Sequence, residues 1–221
     1  MFASELAYGS STIYQSQTDA PFFRVINVDF QFFSGFSTSQ KQKSIESLHK
    51  QYNESYPDQT VLEISSKSKS ELGVALSAFN LIVKTPQQNC SVECAFQGSK
   101  VFEEGGPYVD LLDKTSREAK KDTRLRESGK LIAFQYLEQE FPLEPKDYFY
   151  NWLYSSALMQ NQDLAGEIIK YDSFSDIEFN PQKSINCQAK AAAVFVGLSR
   201  QHLLEEALVA PERFLNIVYG G

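Results

Sequence analysis

Apolar and polar positions first become ordered at Phe22. Residues 22–33 read Phe-Phe-Arg-Val-Ile-Asn-Val-Asp-Phe-Gln-Phe-Phe, a partial alternation rich in β-formers. The run predicts one strand or a pair, broken at Ser34-Gly35. The period then lengthens. Over residues 39–52, Ile45, Leu48 and Tyr52 share one helical face, with Lys41, Lys43, Glu46 and Lys50 elsewhere. Pro57-Asp58 makes a turn, residues 61–64 a short strand, and the polar run 65–70 leads into a short helix at 71–74. Residues 1–20 are Ser/Thr/Gln-rich and aperiodic, which predicts an irregular lead-in.

Residues 76–83 are apolar and read as a buried strand or loop. Ser91 is placed to cap a helix that the pattern carries through Phe102, where Glu103-Glu-Gly-Gly-Pro107 breaks it. Read as helix, Glu93, Gln97 and Lys100 stand at i, i+4 and i+7, within one narrow arc. Val92, Ala95, Phe96 and Phe102 turn the other side to a core. Further on, Asp147 starts a helix with Phe149, Trp152 and Leu153 facing inward. A helix over about 163–171 and a loop over 172–184 follow, the loop holding Asp176, Glu178, Asn180 and Pro181. An Ala-rich helix at 186–198, a last helix at about 201–208 and one more turn from Pro211 complete the chain. The fold class expected is mainly α (α+β), with a small and mostly N-terminal β contribution. An extension over residues 1–70 is expected to pack on a helical core over 71–221.

The 221 residues are 42% hydrophobic and 13% aromatic, enough for a sizeable core. The net charge of −7 argues against non-specific coating of nucleic acid, which needs a broad cationic surface. Three cysteines, no leader-like start and no apolar run of transmembrane length fit a reduced cytoplasm and no membrane partner. With only His49 and His202, and no Cys/His set at zinc spacing, no metal or other cofactor is expected.

An acid, an amide and an amine pointing one way from a helix with a buried back suit sugar or base chemistry. On the residues alone, an amphipathic helix with a solvated polar face is the simpler reading. Residues 114–130 divide in the same way. Their dense mixed charge is either a solvated helical face or a local cationic patch for a pyrophosphate or a DNA backbone.

The order of motifs resembles the NADAR (YbiA-like) superfamily over residues 76–196. Leu76-Ser-Ala-Phe79-Asn80 resembles its Leu-Ser-Asn-Phe loop, and Glu93-x-x-Phe96-Gln97-x-x-Lys100 its central helix. Ala119-Lys120 followed by Arg124 resembles its Ala-Lys-…-Gly-Arg step, with Thr123 in place of Gly. Asp176-Ile-Glu-Phe179 stands where the family has an Asp and then a Trp, and Asn186-Cys-Gln-Ala189 where it has Asn-x-Leu-Gly. Phe179 and Ala189 are departures that bear on the pocket wall. The runs 91–102 and 176–188 are most similar to the branch associated with DarT-type toxins, which ADP-ribosylate guanine in DNA.

That resemblance implies an antitoxin that removes ADP-ribose from guanine in DNA. ADP-ribosylated DNA would be its substrate, ADP-ribose its product and a cognate DarT-type toxin a partner. It implies Glu93, Lys100 and Asp176 as catalytic residues. Glu93 would stabilise a sugar cation or activate water. Asp176 would orient the ribose or share acid/base work, and Lys100 would hold phosphate or form a Schiff base with the opened sugar. Phe79, Asn80, Phe96, Gln97, Phe179 and Asn186 would bind ADP-ribose or base, and Lys120, Lys121, Arg124 and Arg126 would face phosphate. Two other readings stand beside it: an N-glycosidase acting on phosphoribosyl-amine metabolites of riboflavin synthesis, and a non-catalytic module that binds ADP-ribose or the toxin.

Overall fold

The computed structural model describes residues 7–85, 88–180 and 186–220. Within them β1 (Ala7–Ser16) pairs antiparallel along its whole length with β2 (Phe23–Phe32), Ser16 opposite Phe23 and Ala7 opposite Phe32. The described part of the polar N-terminal stretch is therefore largely regular strand and not an irregular lead-in. Its β-formers, Tyr8, Thr12, Ile13 and Tyr14, stand among Gly, Ser and Gln without a clear alternation; the aromatic partner strand supplies the cross-strand contacts, and Ile13 and Tyr14 are buried. α1 (Thr38–Ser55), capped by Ser37, lays Ile45, Leu48 and Tyr52 inward; Leu48 and Tyr52 meet Ile13, Val28 and Phe30 in a satellite core.

β3 (Val61–Glu63) and α2 (Glu71–Ala75) lead to the antiparallel pair of β4 (Ile82–Lys84) and β5 (Asn89–Ser91). α3 (Val92–Gly98) follows directly, with the Ser91 hydroxyl accepting the Cys94 amide at 3.1 Å. The chain then enters β6 (Lys100–Phe102), a 3-10 turn at Val109–Asp113, and two short helices, α4 (Ser116–Lys121) and α5 (Arg124–Glu127). β7 (Leu131–Tyr136) and β8 (Gln139–Phe141) complete a three-stranded sheet in the order β6-β7-β8. Next come α6 (Tyr148–Met159), α7 (Gln162–Ile168), β9 (Ser173–Ser175), α8 (Gln188–Arg200), α9 (Leu204–Leu208) and α10 (Pro211–Tyr219).

Among the described residues helix makes up 44% and strand 21%, the strands spread over three small sheets, so the class is an α+β mix. The expectation of a mainly helical chain with N-terminal β structure is corrected in two places. The hairpin β7–β8 turns on Leu137-Glu138, both at positive φ (48° and 66°), a two-residue turn without the usual Asn-Gly signal. The helix predicted to reach Phe102 stops at Gly98. There a Cβ would stand 2.6 Å from Leu112 Cδ1, and the Ser99 hydroxyl closes back on Ala95 O at 2.7 Å. The Ser99 carbonyl then accepts the Gln135 amide at 2.7 Å, and the chain continues as strand beside β7.

The larger core centres on α6 and α8. Ala189, Ala191, Ala192 and Ala193 are fully buried, and small side chains let α8 approach its neighbours closely. Asp147 stands at the N-cap of α6 but makes no capping bond. It accepts the Tyr219 hydroxyl at 2.9 Å and pairs with Lys190. All three cysteines are buried and free. Among the described residues no helix is long and apolar enough to cross a membrane.

The feature that positions the site is the sheet order β2-β1-β9-β3. β9 lies between an antiparallel neighbour, with Ile13 opposite Ser175, and a parallel one, with Glu63 opposite Ser175. The segment that follows β9 is thereby aimed at the N-terminus of α8 and at the loop before β4.

Candidate active site

A cleft of about 1030 Å³ opens over α3, at the large limit of small-molecule sites. Glu93, Phe96 and Gln97 reach it from α3, and Lys100 from β6. Ser77, Ala78 and Phe79 come from the loop after α2, Tyr150 from α6, and Asp176, Glu178 and Phe179 from the segment after β9. Asn186 and Gln188 close one end at the start of α8.

Glu93 is only 6% exposed. Its Oε1 accepts the Gln97 side-chain amide at 2.9 Å and faces Lys120 Nζ at 3.7 Å, so a buried carboxylate is matched by a hydrogen bond and a cation. Its backbone amide is fixed by Ala78 O at 2.8 Å. Gln97 turns its Nε2 to Glu93, and its buried Oε1 has no hydrogen-bond partner among the described residues. An acceptor left open in a cleft wall is a position for a ligand donor.

Lys100 arrives by strand and not by helical spacing, which corrects the i+7 expectation. Its Nζ lies 4.9 Å from the centroid of the Phe96 ring. Burial lowers its amine to about 8, with Glu93 opposing the drop and Lys120 adding to it. Lys120 also covers the Phe79 ring at 5.0 Å, so Phe79, Lys120 and Glu93 form one contiguous edge of the cleft.

Asp176 is 9% exposed and accepts the Glu178 amide at 3.0 Å and a hydrogen bond from Gln188. Burial first, then the nearby Glu63 carboxylate, holds its carboxyl well above the ordinary range. Glu63 is itself buried and raised by that burial, with Ile177 N 2.9 Å from its Oε1 and the Ser175 hydroxyl on its Oε2. His49 Nε2 meets the same hydroxyl at 2.7 Å, and burial pulls its imidazole down to about 4, which keeps it neutral at pH 7. Glu63 was not among the residues singled out. A Glu inside the apolar strand Val-Leu-Glu-Ile was the available signal. Glu178, at the cleft wall, pairs with Lys41 at 3.1 Å.

Of the residues singled out from sequence, all but Asn80, Lys121 and Arg124 line this cleft. Asn80 is exposed and spends its amide on Val74 O (2.8 Å) and Ser77 Oγ (3.1 Å), within its own turn. Arg124 is engaged by Asp110 and Asp122, at 2.7 and 2.8 Å, and stacks on Tyr108. The charge-dense segment is two short helices, and it delivers only Lys120 and Arg126 of its four chosen cations to the cleft. Lys146, from the turn before α6, is a further cation on the rim. Phe96 lines the floor but is mostly core, packed on Phe134 and Tyr150 at 5.3 and 5.2 Å. Phe79 and Phe179 are the partly exposed aromatic walls. Within the run 176–188, residues 181–185 lie outside the described residues.

Residues 10–221 match the family model described as DarT1-associated NADAR antitoxin. No curated protein matches the chain.

Proposed function

We propose, since the chain belongs to the DarT1-associated NADAR antitoxin family, that it acts as an ADP-ribosyl glycohydrolase on guanine bases in DNA. What supports this is the convergence of Glu93, Lys100 and Asp176 on one cleft, with an amine at about 8 among them. At pH 7 about one Lys100 in ten is then the free amine, against fewer than one in a thousand for an ordinary lysine. The proposed chemistry begins with opening of the ribose ring joined to the exocyclic guanine nitrogen, which gives an imine at C1″. Lys100 adds to C1″ and the guanine amine leaves, so one imine replaces another. Water then adds, releasing the sugar aldehyde and restoring the amine. Glu93 stabilises positive charge at C1″, and Asp176, whose carboxyl burial pushes upward, orients the ribose through a hydrogen bond. Phe79 and Phe179 stack on the bases. Arg126, Lys120 and Lys146 take the phosphates, and the acidic remainder of the surface keeps DNA binding weak and salt-sensitive. The modified base must leave its stack to enter, so single strands are the better substrate.

The test is incubation of wild type and Glu93→Gln with a guanine-ADP-ribosylated oligonucleotide, followed by mass analysis, with and without borohydride. Release of ADP-ribose by wild type alone, and a borohydride adduct on Lys100, is the expected result. No release from a verified substrate, with turnover of a phosphoribosyl-amine metabolite instead, would move the activity to small molecules. No turnover of either, with stable capture of the toxin, would make the protein a binder.

A further inference from the structure

We infer that Gln188 is a positioning residue that holds the segments bearing Glu93 and Asp176 in fixed relation to each other. The inference rests on the glycohydrolase reading for what those carboxylates do, but not for how they are held. Gln188 opens α8 and reaches three other segments with one amide. Its Oε1 accepts Ala78 N at 2.7 Å, and its Nε2 donates to Ile64 O at 2.7 Å. Ile64 N donates in turn to Ser175 O at 2.8 Å, next to Asp176, and the Gln188 amide favours the ionised Asp176 carboxyl. The carbonyl of Ala78 in turn accepts the Glu93 amide at 2.8 Å. Ala78 is thus clamped through its amide to α8 and through its carbonyl to the first turn of α3.

Only a neutral amide of this length satisfies the three partners. Flipped, it would set Nε2 against the Ala78 N–H, and Oε1 against the Ile64 carbonyl and Asp176. An ionised glutamate offers no donor to Ile64 or Asp176, and an apolar side chain leaves Ala78 N–H and Ile64 C=O without their partner. The remaining groups around Asp176 come from every packed element: Glu63 on β3, Tyr14 on β1, Tyr150 and Tyr154 on α6, Cys187 at the cap of α8, and Glu178 beyond it. Among these, Gln188 and the Glu178 backbone amide favour the ionised carboxyl, while Glu63 and Glu178 charge opposes it.

The experiment compares wild type with Gln188→Met and Gln188→Glu for kcat and KM on the modified oligonucleotide across pH. It also follows the titration of the Asp176 carboxyl by carbon-13 NMR. For Gln188→Met, kcat falls about tenfold to a hundredfold with KM nearly unchanged, because misplaced catalytic groups cost rate more than binding. Asp176 titrates at higher pH than in wild type. Gln188→Glu is equally impaired at neutral pH and recovers relative to wild type as pH falls, since a protonated glutamate again offers a donor and an acceptor. Should Gln188→Met fail to fold, Gln188→Glu alone decides. An unchanged Asp176 titration, a loss expressed only in KM, or no recovery of Gln188→Glu at low pH overturns the inference. If wild type releases no ADP-ribose, the glycohydrolase reading fails, and the Asp176 titration still decides the role of Gln188.

Discussion

Replacing Lys100 by Met is expected to stabilise the fold at neutral pH while it removes turnover. The drop of the amine from 10.5 to about 8 means that the cleft disfavours the ammonium form by about 3 kcal/mol relative to the unfolded chain. Burial is the main cause, and the charge of Lys120 adds to it against the pull of Glu93. Water at the cleft mouth screens part of this, so about 1.5 kcal/mol is the gain expected from an uncharged side chain of similar length. For a chain of this size that is roughly 3–6 °C in Tm. The sign follows from proton uptake. Between pH 8 and 10.5 the unfolded chain binds the proton that the folded chain has lost, so wild type gains stability as pH rises through that window. The penalty is fully present below pH 8 and gone above 10.5. Thermal unfolding of both proteins at pH 7, 9 and 10.5 should therefore show an advantage for Lys100→Met that is largest at pH 7 and disappears at 10.5. Other titrating groups act equally on both proteins and cancel in the comparison. A lower Tm for Lys100→Met at pH 7, or an advantage independent of pH, would refute the reasoning, and the free amine invoked for catalysis would go with it.

Gly73→Ala is expected to destabilise by about 2–3 kcal/mol, because a Cβ there would lie 2.0 Å from Glu63 O and 2.4 Å from Ser68 Oγ. An unchanged midpoint in urea would show that the Glu63 strand yields to it. Arg126→Ala should weaken binding to a modified oligonucleotide and reduce the salt slope by about one, while Arg124→Ala should do neither. Equal effects of the two on the slope would mean that Arg124 leaves Asp110 and Asp122 when DNA arrives.

The parts of the site legible in the sequence are those where a local signal and the fold agree. Ser91 caps α3 as its position before an apolar run implies, and Glu93 and Gln97 meet one turn apart, as helical spacing requires. Lys100 reaches the same cleft for a different reason. The helix ends two residues earlier, and pairing with β7, a strand distant in sequence, redirects the chain. Periodicity cannot foresee that competition. The strand β1 is hidden for the same reason, because its pairing with β2 and with the distant β9 orders residues whose own pattern is irregular. Arg124 and Lys120 look alike in a charged run, but Asp110 and the neighbouring Asp122 hold Arg124, whereas Lys120 faces Glu93 in the cleft. Tyr150 and Gln188 line the cleft and Glu63 lies buried behind Asp176; Glu63 and Gln188 take their places through hydrogen bonds across more than a hundred residues, a range at which single residues leave little mark in sequence.

The parallel pairing of β3 with β9, stitched shut by Gln188, bears on when a newly made molecule becomes useful. Glu63 and Ile177 are 114 positions apart, and Ile64 and Gln188 are 124. Ribosomes must deliver α8 before the cleft can close, so a nascent chain lacks its assembled pocket through most of its translation. Contacts of such separation also slow folding once the chain is free. A cell relying on this antitoxin thus depends on a reserve of finished molecules, since protection trails synthesis by the time needed to bring β3 and β9 together.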